Sequence, residues 1–329
     1  MKLTLAPLAG FTSAPFRVLC AARGADLVYT EMVSAAGLAH GSSPTRHLME
    51  VMPGEGPVAC QLFGSRPDEL AQAAAEVERV RDRFAELNLN AGCPMPKIVH
   101  EGAGAALLLD PQRLHDCLAA MKGATTLPLT LKTRPGPRPD RVLLLELLDA
   151  AQTAGCAGLV LHGRFTSQMH GGPVHYDLLA ELVQAAKIPV TGNGGVYNRH
   201  TLRLMAETGV AAVMVGRAAL ANPWIFSDLR RDEPADVLEA PARRRGLQDA
   251  AFADHLAALV AFRDQLARRF PDDHIPSADG FVCTALHTQL FRYFNGRPGA
   301  AALRRRLTTL TTIRDALEAI RALDDAPAA

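Results

Sequence analysis

The sequence is poor in aromatic side chains, which make up 5% of its 329 residues, and it contains a single tryptophan. It has no run of about 18 apolar residues, the length that a transmembrane helix requires. Its first ten residues, Met1 to Gly10, lack the basic, apolar and small-residue segments of a signal peptide. These absences predict a cytoplasmic protein with no membrane partner.

Paired cysteines are also missing. The six cysteines are scattered without a CxxC pair, which argues against a disulfide framework and against a zinc site. The formal net charge is only +1, so composition alone does not indicate a nucleic-acid binder. From Pro241 onward, however, there are thirteen arginines, no lysine and ten acidic residues. The arginine runs there are typical of solvated helix faces and are also compatible with phosphate contacts.

Short apolar, β-rich runs alternate with helical patterns, which is the sequence form of repeated βα units. Eight such units in about 230 residues predict a (β/α)₈ TIM barrel, an α/β fold. A doubly wound sheet is the alternative, but no G-x-G-x-x-G turn follows the first strand. The predicted strands are Leu3–Pro7, Leu27–Thr30, Pro57–Phe63, Phe84–Asn90, Leu127–Lys132, Gly158–His162, Pro189–Thr191 and Ala211–Val215.

Beyond Leu229 the pattern changes to a charged linker, Arg230–Gly246, followed by helical periodicity without strand candidates. We expect a barrel domain over residues 1–235 and a smaller all-helical domain over 245–329. Helices are predicted at Gln248–Arg269, Gly280–Tyr293 and Ala300–Leu323. A monomer is expected.

Glycine-rich turns follow predicted strands seven and eight, at Asn193-Gly194-Gly195 and at Gly216-Arg217. In a TIM barrel these turns expose backbone N–H groups that bind phosphate. One such turn alone is more simply a tight βα connection. Two adjacent turns, the second with an arginine, favour a phosphorylated ligand.

Two basic residues end predicted strands five and six, where a barrel builds its active site. Lys132 fits a Schiff-base lysine, a phosphate ligand or a positive charge opposite an anionic cofactor ring such as a reduced flavin. His162 fits a general acid, a cofactor hydrogen-bond donor or a core histidine. Spacing does not choose among these roles.

Cys93 differs from the other cysteines because it follows a polar strand end, in Gly92-Cys93-Pro94, and precedes a loop with Gly102 and Gly104. A cysteine at a barrel mouth is a candidate nucleophile or general acid. Since no histidine lies close in sequence to activate a thiolate, the acid role is favoured.

The stretch Asn88-Leu89-Asn90-Ala91-Gly92-Cys93-Pro94-Met95-Pro96-Lys97, followed by Gly102 to Leu108, resembles the tRNA-dihydrouridine synthases. Further matches run from Ala6–Gly10 to Asn222-Pro223-Trp224. In the tail, Tyr293 to Ala300 is similar to the family's helical tRNA-binding domain. Gly195 stands where the family often has an acidic residue, and Leu8 stands where it often has methionine.

The resemblance implies an enzyme that reduces the C5=C6 bond of uridines in tRNA with FMN, which NADPH reduces in turn. By the same matching, Cys93 protonates C5, and Asn90 and Arg164 face the flavin or the uracil. The implied FMN site consists of Pro7, Leu8, Ala9, Gln61, Lys132, His162, Asn193, Gly194, Gly195, Gly216 and Arg217.

Three other functions are compatible with parts of the sequence. An FMN-dependent barrel oxidoreductase acting on a small pyrimidine-like molecule would share the cofactor turns, but it would not need the C-terminal helices. A non-catalytic tRNA binder would not need Cys93, Lys132 and His162. A lyase or aldolase would use Lys132 as a Schiff base.

Overall fold

A computed structural model describes residues 1–233 and 240–324. Eight parallel strands close into a barrel in sequence order, with β1 paired to both β2 and β8. This confirms the TIM barrel and the helical region that follows it. The strands are β1 Lys2–Leu5, β2 Leu27–Ser34, β3 Val58–Phe63, β4 Glu86–Ala91, β5 Leu129–Thr133, β6 Gly158–His162, β7 Val190–Asn193 and β8 Ala212–Val215.

The helices of the barrel lie outside the strands and cover their outward-facing apolar residues. They span Ala14–Ala22, Ala35–Ala39, Ser43–His47, Pro67–Glu78, Pro96–His100, Pro111–Ala124, Leu144–Thr153, Tyr176–Ala185, Arg199–Glu207 and Ile225–Asp228. The last of these helices begins only at Ile225. Pro223 lies two residues before it, and proline has no N–H to continue a helix from the preceding residues.

Side chains inside the barrel alternate with those outside, as the two-residue period of a strand requires. Leu87, Leu89 and Ala91 of β4 join the outer core, so Glu86, Asn88 and Asn90 point inward. Val160 of β6, Met214 of β8 and Ala6, just after β1, form a small apolar cluster with Tyr29 and Ala59. The barrel interior thus holds both a polar row along β4 and a small apolar cluster.

The C-terminal helices span Pro241–Arg269, Ala278–Thr288, Ala300–Leu307 and Ile313–Asp324, with a 3₁₀ turn at Leu290–Phe294. The third predicted helix is broken, because four threonines lie between residues 308 and 312 and β-branched residues disfavour helix. The first helix begins at Pro241, inside the predicted linker and before the predicted boundary at 245. Residues 235 and 329, at which the two predicted domains end, lie outside the described residues.

The helical region packs against the first βα unit of the barrel. Phe262 and Leu266 form a buried cluster with Ala14, and Arg23 pairs with Asp254 at 2.6 Å. Gln289 Nε2 donates to the carbonyl of Gly10 at 2.6 Å, so this contact reaches the loop that follows β1.

Within the described ranges, no helix is long and apolar enough to cross a membrane. The predictions of a cytoplasmic location and of a monomer stay predictions.

Candidate active site at the barrel mouth

Cys93 lies two residues beyond the end of β4, at the carboxyl-terminal mouth of the barrel. Asn90 Oδ1 accepts hydrogen bonds from the backbone N–H groups of Gly92, at 3.1 Å, and Cys93, at 3.0 Å. The carbonyl of Cys93 accepts from the N–H of Ala105 at 2.9 Å. The backbone that carries the thiol is therefore held on both sides.

The other five cysteines are buried, whereas Cys93 is partly exposed. Burial raises the pKa of Cys60, Cys117 and Cys156 to about 12. Such thiols are inert at neutral pH. Cys93 is thus the cysteine that a ligand in the mouth can reach.

The loop after Cys93 contains the helix Pro96–His100 and the 3₁₀ turn Gly104–Leu109. Gly104 has a φ of 58°, and a Cβ there would lie 2.7 Å from the carbonyl oxygen of Cys93. Only glycine fits so close to the Cys93 backbone.

Lys132, on β5, extends its ammonium group across the mouth to Asn193 Oδ1 at 3.2 Å. Asn193 Nδ2 donates to the carbonyl of Met214 at 2.8 Å, which fixes the orientation of its amide. Burial, reinforced by the charge of Arg134, lowers the pKa of Lys132 to about 7. A negative charge on Cys93 would oppose that shift, so the two groups lie within electrostatic range.

His162 and Arg164, at and beyond the end of β6, lie side by side, with Arg164 Nη1 3.3 Å from His162 Nε2. Burial and the neighbouring Lys132, Arg134 and Arg164 lower the pKa of His162, so the imidazole is neutral. Arg164 Nε also donates to the carbonyl of Gly172 at 3.0 Å. These contacts bring the two residues together at the mouth, and the roles predicted for them stay predictions.

The turn after β7 approaches the same pair. Gly194 and Gly195 have φ angles of 116° and 70°, and a Cβ on Gly194 would lie 2.8 Å from His162 Cδ2. In the described parts of the chain, neither glycine donates a backbone hydrogen bond. Both N–H groups are therefore available to an anion.

Other residues of the predicted cofactor site follow β1, β3 and β8. Pro7, Leu8 and Ala9 form a turn in which the carbonyl of Leu8 accepts from the N–H groups of Phe11 and Thr12. Gln61 is fully buried below Asn90, which donates to its Oε1 at 2.9 Å. Gly216 lies beside Ala6, and Arg217 Nη2 donates to the carbonyl of His170 at 2.6 Å.

Sequence reasoning assigned no role to Arg134 or to His170. Arg134 is buried and donates to the carbonyls of Gly92, Arg164 and Phe165, at 2.7, 3.2 and 3.0 Å. It therefore joins the Cys93 turn to the loop after β6. Its position two residues after Lys132 was a signal for a site residue, whereas the loop around His170 offered none.

The mouth gathers Lys132, Arg134, Arg164 and Arg217, and among the described residues none of the four has a carboxylate within ion-pair distance. Uncompensated cations beside glycine turns with available N–H groups fit a ligand that carries a phosphate and an anionic ring. FMN is such a ligand. The side chains present therefore fit the predicted cofactor.

Comparison with known proteins gives the family. Residues 4–271 match the model of the dihydrouridine synthase family. The chain belongs to the dihydrouridine synthase family. It is 35% identical over 289 residues to tRNA-dihydrouridine synthase B of Xanthomonas campestris, and this match covers 84% of this chain and 86% of that protein. It is also 35% identical to tRNA-dihydrouridine synthase B of Yersinia pestis, over 69% of this chain and 71% of that protein.

Among solved structures, TcOYE with pHBA matches with a TM-score of 0.53 and 11% identity, over 71% of this chain and 89% of that one. At this identity the likeness supports the barrel fold alone. The family assignment confirms the predicted resemblance and the predicted class of enzyme, a flavin-dependent oxidoreductase.

Proposed function

We propose that this chain is a tRNA-dihydrouridine synthase that reduces the C5=C6 bond of uridines in tRNA, with FMN as its cofactor and NADPH as its reductant. The names of both relatives above support tRNA as the substrate. The observation that carries the proposal is the position of Cys93, an accessible thiol at the barrel mouth within electrostatic range of Lys132 and Arg134.

Reduction of C5=C6 requires a hydride at one carbon and a proton at the other. Reduced FMN, when bound, supplies the hydride to C6. Cys93 acts as the general acid that donates the proton to C5, since its backbone is fixed and its thiol is accessible. Asn90 lies beside the turn that carries Cys93, and Arg164 lies in the loop after β6. From these positions both would contact the uracil.

The remaining predicted residues hold the cofactor. Lys132 would supply a positive charge that stabilises a reduced flavin. Gly194, Gly195, Gly216 and Arg217 would bind the phosphate, and Pro7, Leu8, Ala9, Gln61, His162 and Asn193 would complete the FMN site. The neutral imidazole of His162 adds no charge to the mouth.

The C-terminal helices bind the tRNA backbone. The guanidinium of Arg292 lies 4.9 Å from the ring centroid of Phe11, in the loop after β1, so a cationic helix end reaches the mouth. Arg304 stacks over Phe291 on the same surface, at 4.3 Å. Because a uridine must leave the tRNA stack to enter a barrel, phosphate contacts beside the mouth hold the tRNA while the base is extruded.

Mass spectrometry of nucleosides tests the function. Unmodified tRNA is incubated with the protein, FMN and NADPH, and the expected result is a gain of two hydrogens on uridine. No gain, with flavin bound and reducible, would favour the small-molecule oxidoreductase instead.

The role of Cys93 is tested with Cys93→Ala, which should retain FMN and NADPH oxidation but lose uridine reduction by about 10²-fold or more. Cys156→Ala, which removes a buried thiol at the opposite end of the barrel, is the matched control and should keep its activity. Full dihydrouridine formation by Cys93→Ala contradicts the acid assignment.

A further inference from the structure

A chain of side-chain hydrogen bonds runs through the barrel interior from one end to the other. It starts at the mouth, where Asn90 Nδ2 donates to Gln61 Oε1 at 2.9 Å. Gln61 Nε2 donates to Asn88 Oδ1 at 2.7 Å, and Asn88 Nδ2 donates to Thr130 Oγ1 at 2.7 Å. Thr130 then donates to Glu86 Oε1 at 3.0 Å. Its ends, Glu86 and Asn90, are four positions apart on β4, a span of about 13 Å.

The groups at both ends of this series of hydrogen bonds impose the same donor-to-acceptor direction on every hydrogen bond in it. At the mouth, the backbone N–H groups of Gly92 and Cys93 only donate, so Asn90 must present its oxygen to them. At the far end, Glu86 Oε1 accepts from Thr130 and also from Tyr29 Oη, the latter at 2.5 Å. Burial raises the pKa of Glu86, whereas these two hydrogen bonds oppose that shift and favour the charged form, which only accepts. Each amide between these ends has one orientation that satisfies both of its neighbours.

Burial makes this orientation costly to reverse. Gln61 and Asn88 are fully buried, and Asn90 and Thr130 are 7% and 8% exposed. Water therefore does not replace a lost partner, and a buried amide without its acceptor is strongly unfavourable. If the Asn88 amide turned over, Gln61 and then Asn90 would have to follow. Asn90 would then direct its NH₂ group at the N–H groups of Gly92 and Cys93.

We propose that Glu86 and Thr130, at the end of the barrel remote from the mouth, are positioning residues for Cys93. They fix the orientation of the Asn90 amide through Asn88 and Gln61, and Asn90 in turn holds the backbone of the catalytic turn. The role in catalysis rests on the proposed function, whereas the effect on the Cys93 turn does not.

The first test interrupts the series of hydrogen bonds while changing the side-chain volume as little as possible. Thr130→Val keeps the volume of Thr130 and removes its hydroxyl, so Asn88 Nδ2 loses its acceptor. Glu86→Leu removes the terminal acceptor. Both variants should lower kcat for uridine reduction by about tenfold or more, since small displacements of a catalytic group are costly. Glu86→Gln retains an oxygen that accepts from Thr130 and Tyr29, and it should rescue the rate to within about threefold of the native protein.

The matched control is Glu78→Gln. Glu78 is a carboxylate that accepts from Thr125 and Thr126, outside the barrel interior and apart from the chain. Its substitution should leave kcat unchanged. Thr130→Ser, which keeps the hydroxyl, distinguishes loss of the hydrogen bond from loss of the fold and should behave as the native protein does.

A double-mutant cycle separates positioning from a general structural effect. If Thr130 acts through Asn90, Thr130→Val should change kcat by less than about twofold in an Asn90→Ala background. An undiminished effect of Thr130→Val in that background overturns the proposal.

A second measurement does not depend on tRNA or on turnover. The rate of Cys93 alkylation by iodoacetamide, followed by mass spectrometry, should rise about threefold or more in Thr130→Val and Glu86→Leu, because the turn is released. Unchanged alkylation and unchanged kcat in these variants overturn the proposal. Faster alkylation in a protein that reduces no uridine, even unmutated, supports the positioning of Cys93 while contradicting the proposed function.

Discussion

Two groups of arginines in this enzyme differ in what they contact. At the barrel mouth, Arg134, Arg164 and Arg217 donate to backbone carbonyls. Between the barrel and the C-terminal helices, arginines pair with carboxylates. Arg23 pairs with Asp254, and Arg269 pairs at 3.1 Å with Glu50, a barrel carboxylate that Arg83 of the barrel also contacts at 2.9 Å.

The difference shows how one chain with a net charge of +1 keeps a local positive field. Carbonyl oxygens orient an arginine but do not neutralise it, so the mouth keeps its charge for an anionic ligand. Carboxylates neutralise the interface, where charge would have no ligand to meet. The net charge of the whole chain therefore shows neither the positive field at the mouth nor the neutralised charges at the interface.

The largest effect is expected where an arginine joins two loops. Arg134→Lys keeps the charge, but a single ammonium group cannot reach both Gly92 and Phe165, so uridine reduction should fall about 10²-fold. Arg269→Lys makes the same exchange at the interface and should stay within about twofold, because Glu50 keeps a cation. Single-turnover assays with reduced enzyme and tRNA measure both. Equal effects of the two variants would contradict the distinction between the groups.

Glu50→Gln tests the interface. Glu50 is buried and accepts from Arg83, Arg269 and Gln265. Loss of its charge should lower the free energy of unfolding by about 2 kcal/mol in urea titrations. Glu181→Gln, at an exposed site on a barrel helix, should change it by less than about 0.5 kcal/mol. A Glu50→Gln protein as stable as the Glu181→Gln control would show that the paired arginines contribute little.

Lys132 gives the mouth a pH dependence. Because its pKa is lowered to about 7, the free protein loses this positive charge as pH rises through that value. An anionic ligand favours the ammonium form, so FMN affinity should fall about tenfold between about pH 7 and about pH 8.5.

Fluorescence titration with FMN measures that profile. In Lys132→Met, FMN affinity should not change with pH over this range. Cys93→Ser removes the thiol that lies within electrostatic range of the same ammonium group. His162 stays neutral over this range because its pKa is lowered. A profile that is equally steep in Lys132→Met would assign the titration to another group.

The smallest effect is expected at the exposed edge of the mouth. Arg217→Gln should raise the dissociation constant of FMN about fivefold at low salt, and less at high salt, because exposed charges are screened. Arg199→Gln, whose exposed guanidinium pairs with Asp232, is the control and should leave FMN binding unchanged. A salt-independent effect of Arg217→Gln would indicate a contact other than phosphate.

Much of this site follows from the sequence because parallel strands end at the same face. Lys132 and His162 end predicted strands, Asn193 begins the turn after another, and the structure brings the Lys132 ammonium to 3.2 Å from Asn193 Oδ1. Arg134 was not assigned a role, although alternation along β5 directs it toward the mouth. Its guanidinium contacts carbonyls of two other loops, and the sequence does not show those contacts. The interior chain escaped because it depends on register. Gln61 stands opposite Asn88, and Asn88 opposite Thr130, and no sequence pattern fixes those pairs. The break after Leu307 was missed because the helical composition of the surrounding residues hid the four threonines between residues 308 and 312.

The contact between the first barrel helix and the helix Pro241–Arg269 makes the catalytic half of the molecule inseparable from the other half. A barrel cut from the chain after residue 233 would expose the apolar surface around Ala14 and leave Glu50 with Arg83 as its remaining partner. A chimera that exchanges the C-terminal helices must therefore carry Phe262, Gln265, Leu266 and Arg269 with the barrel, or the first βα unit loses its cover.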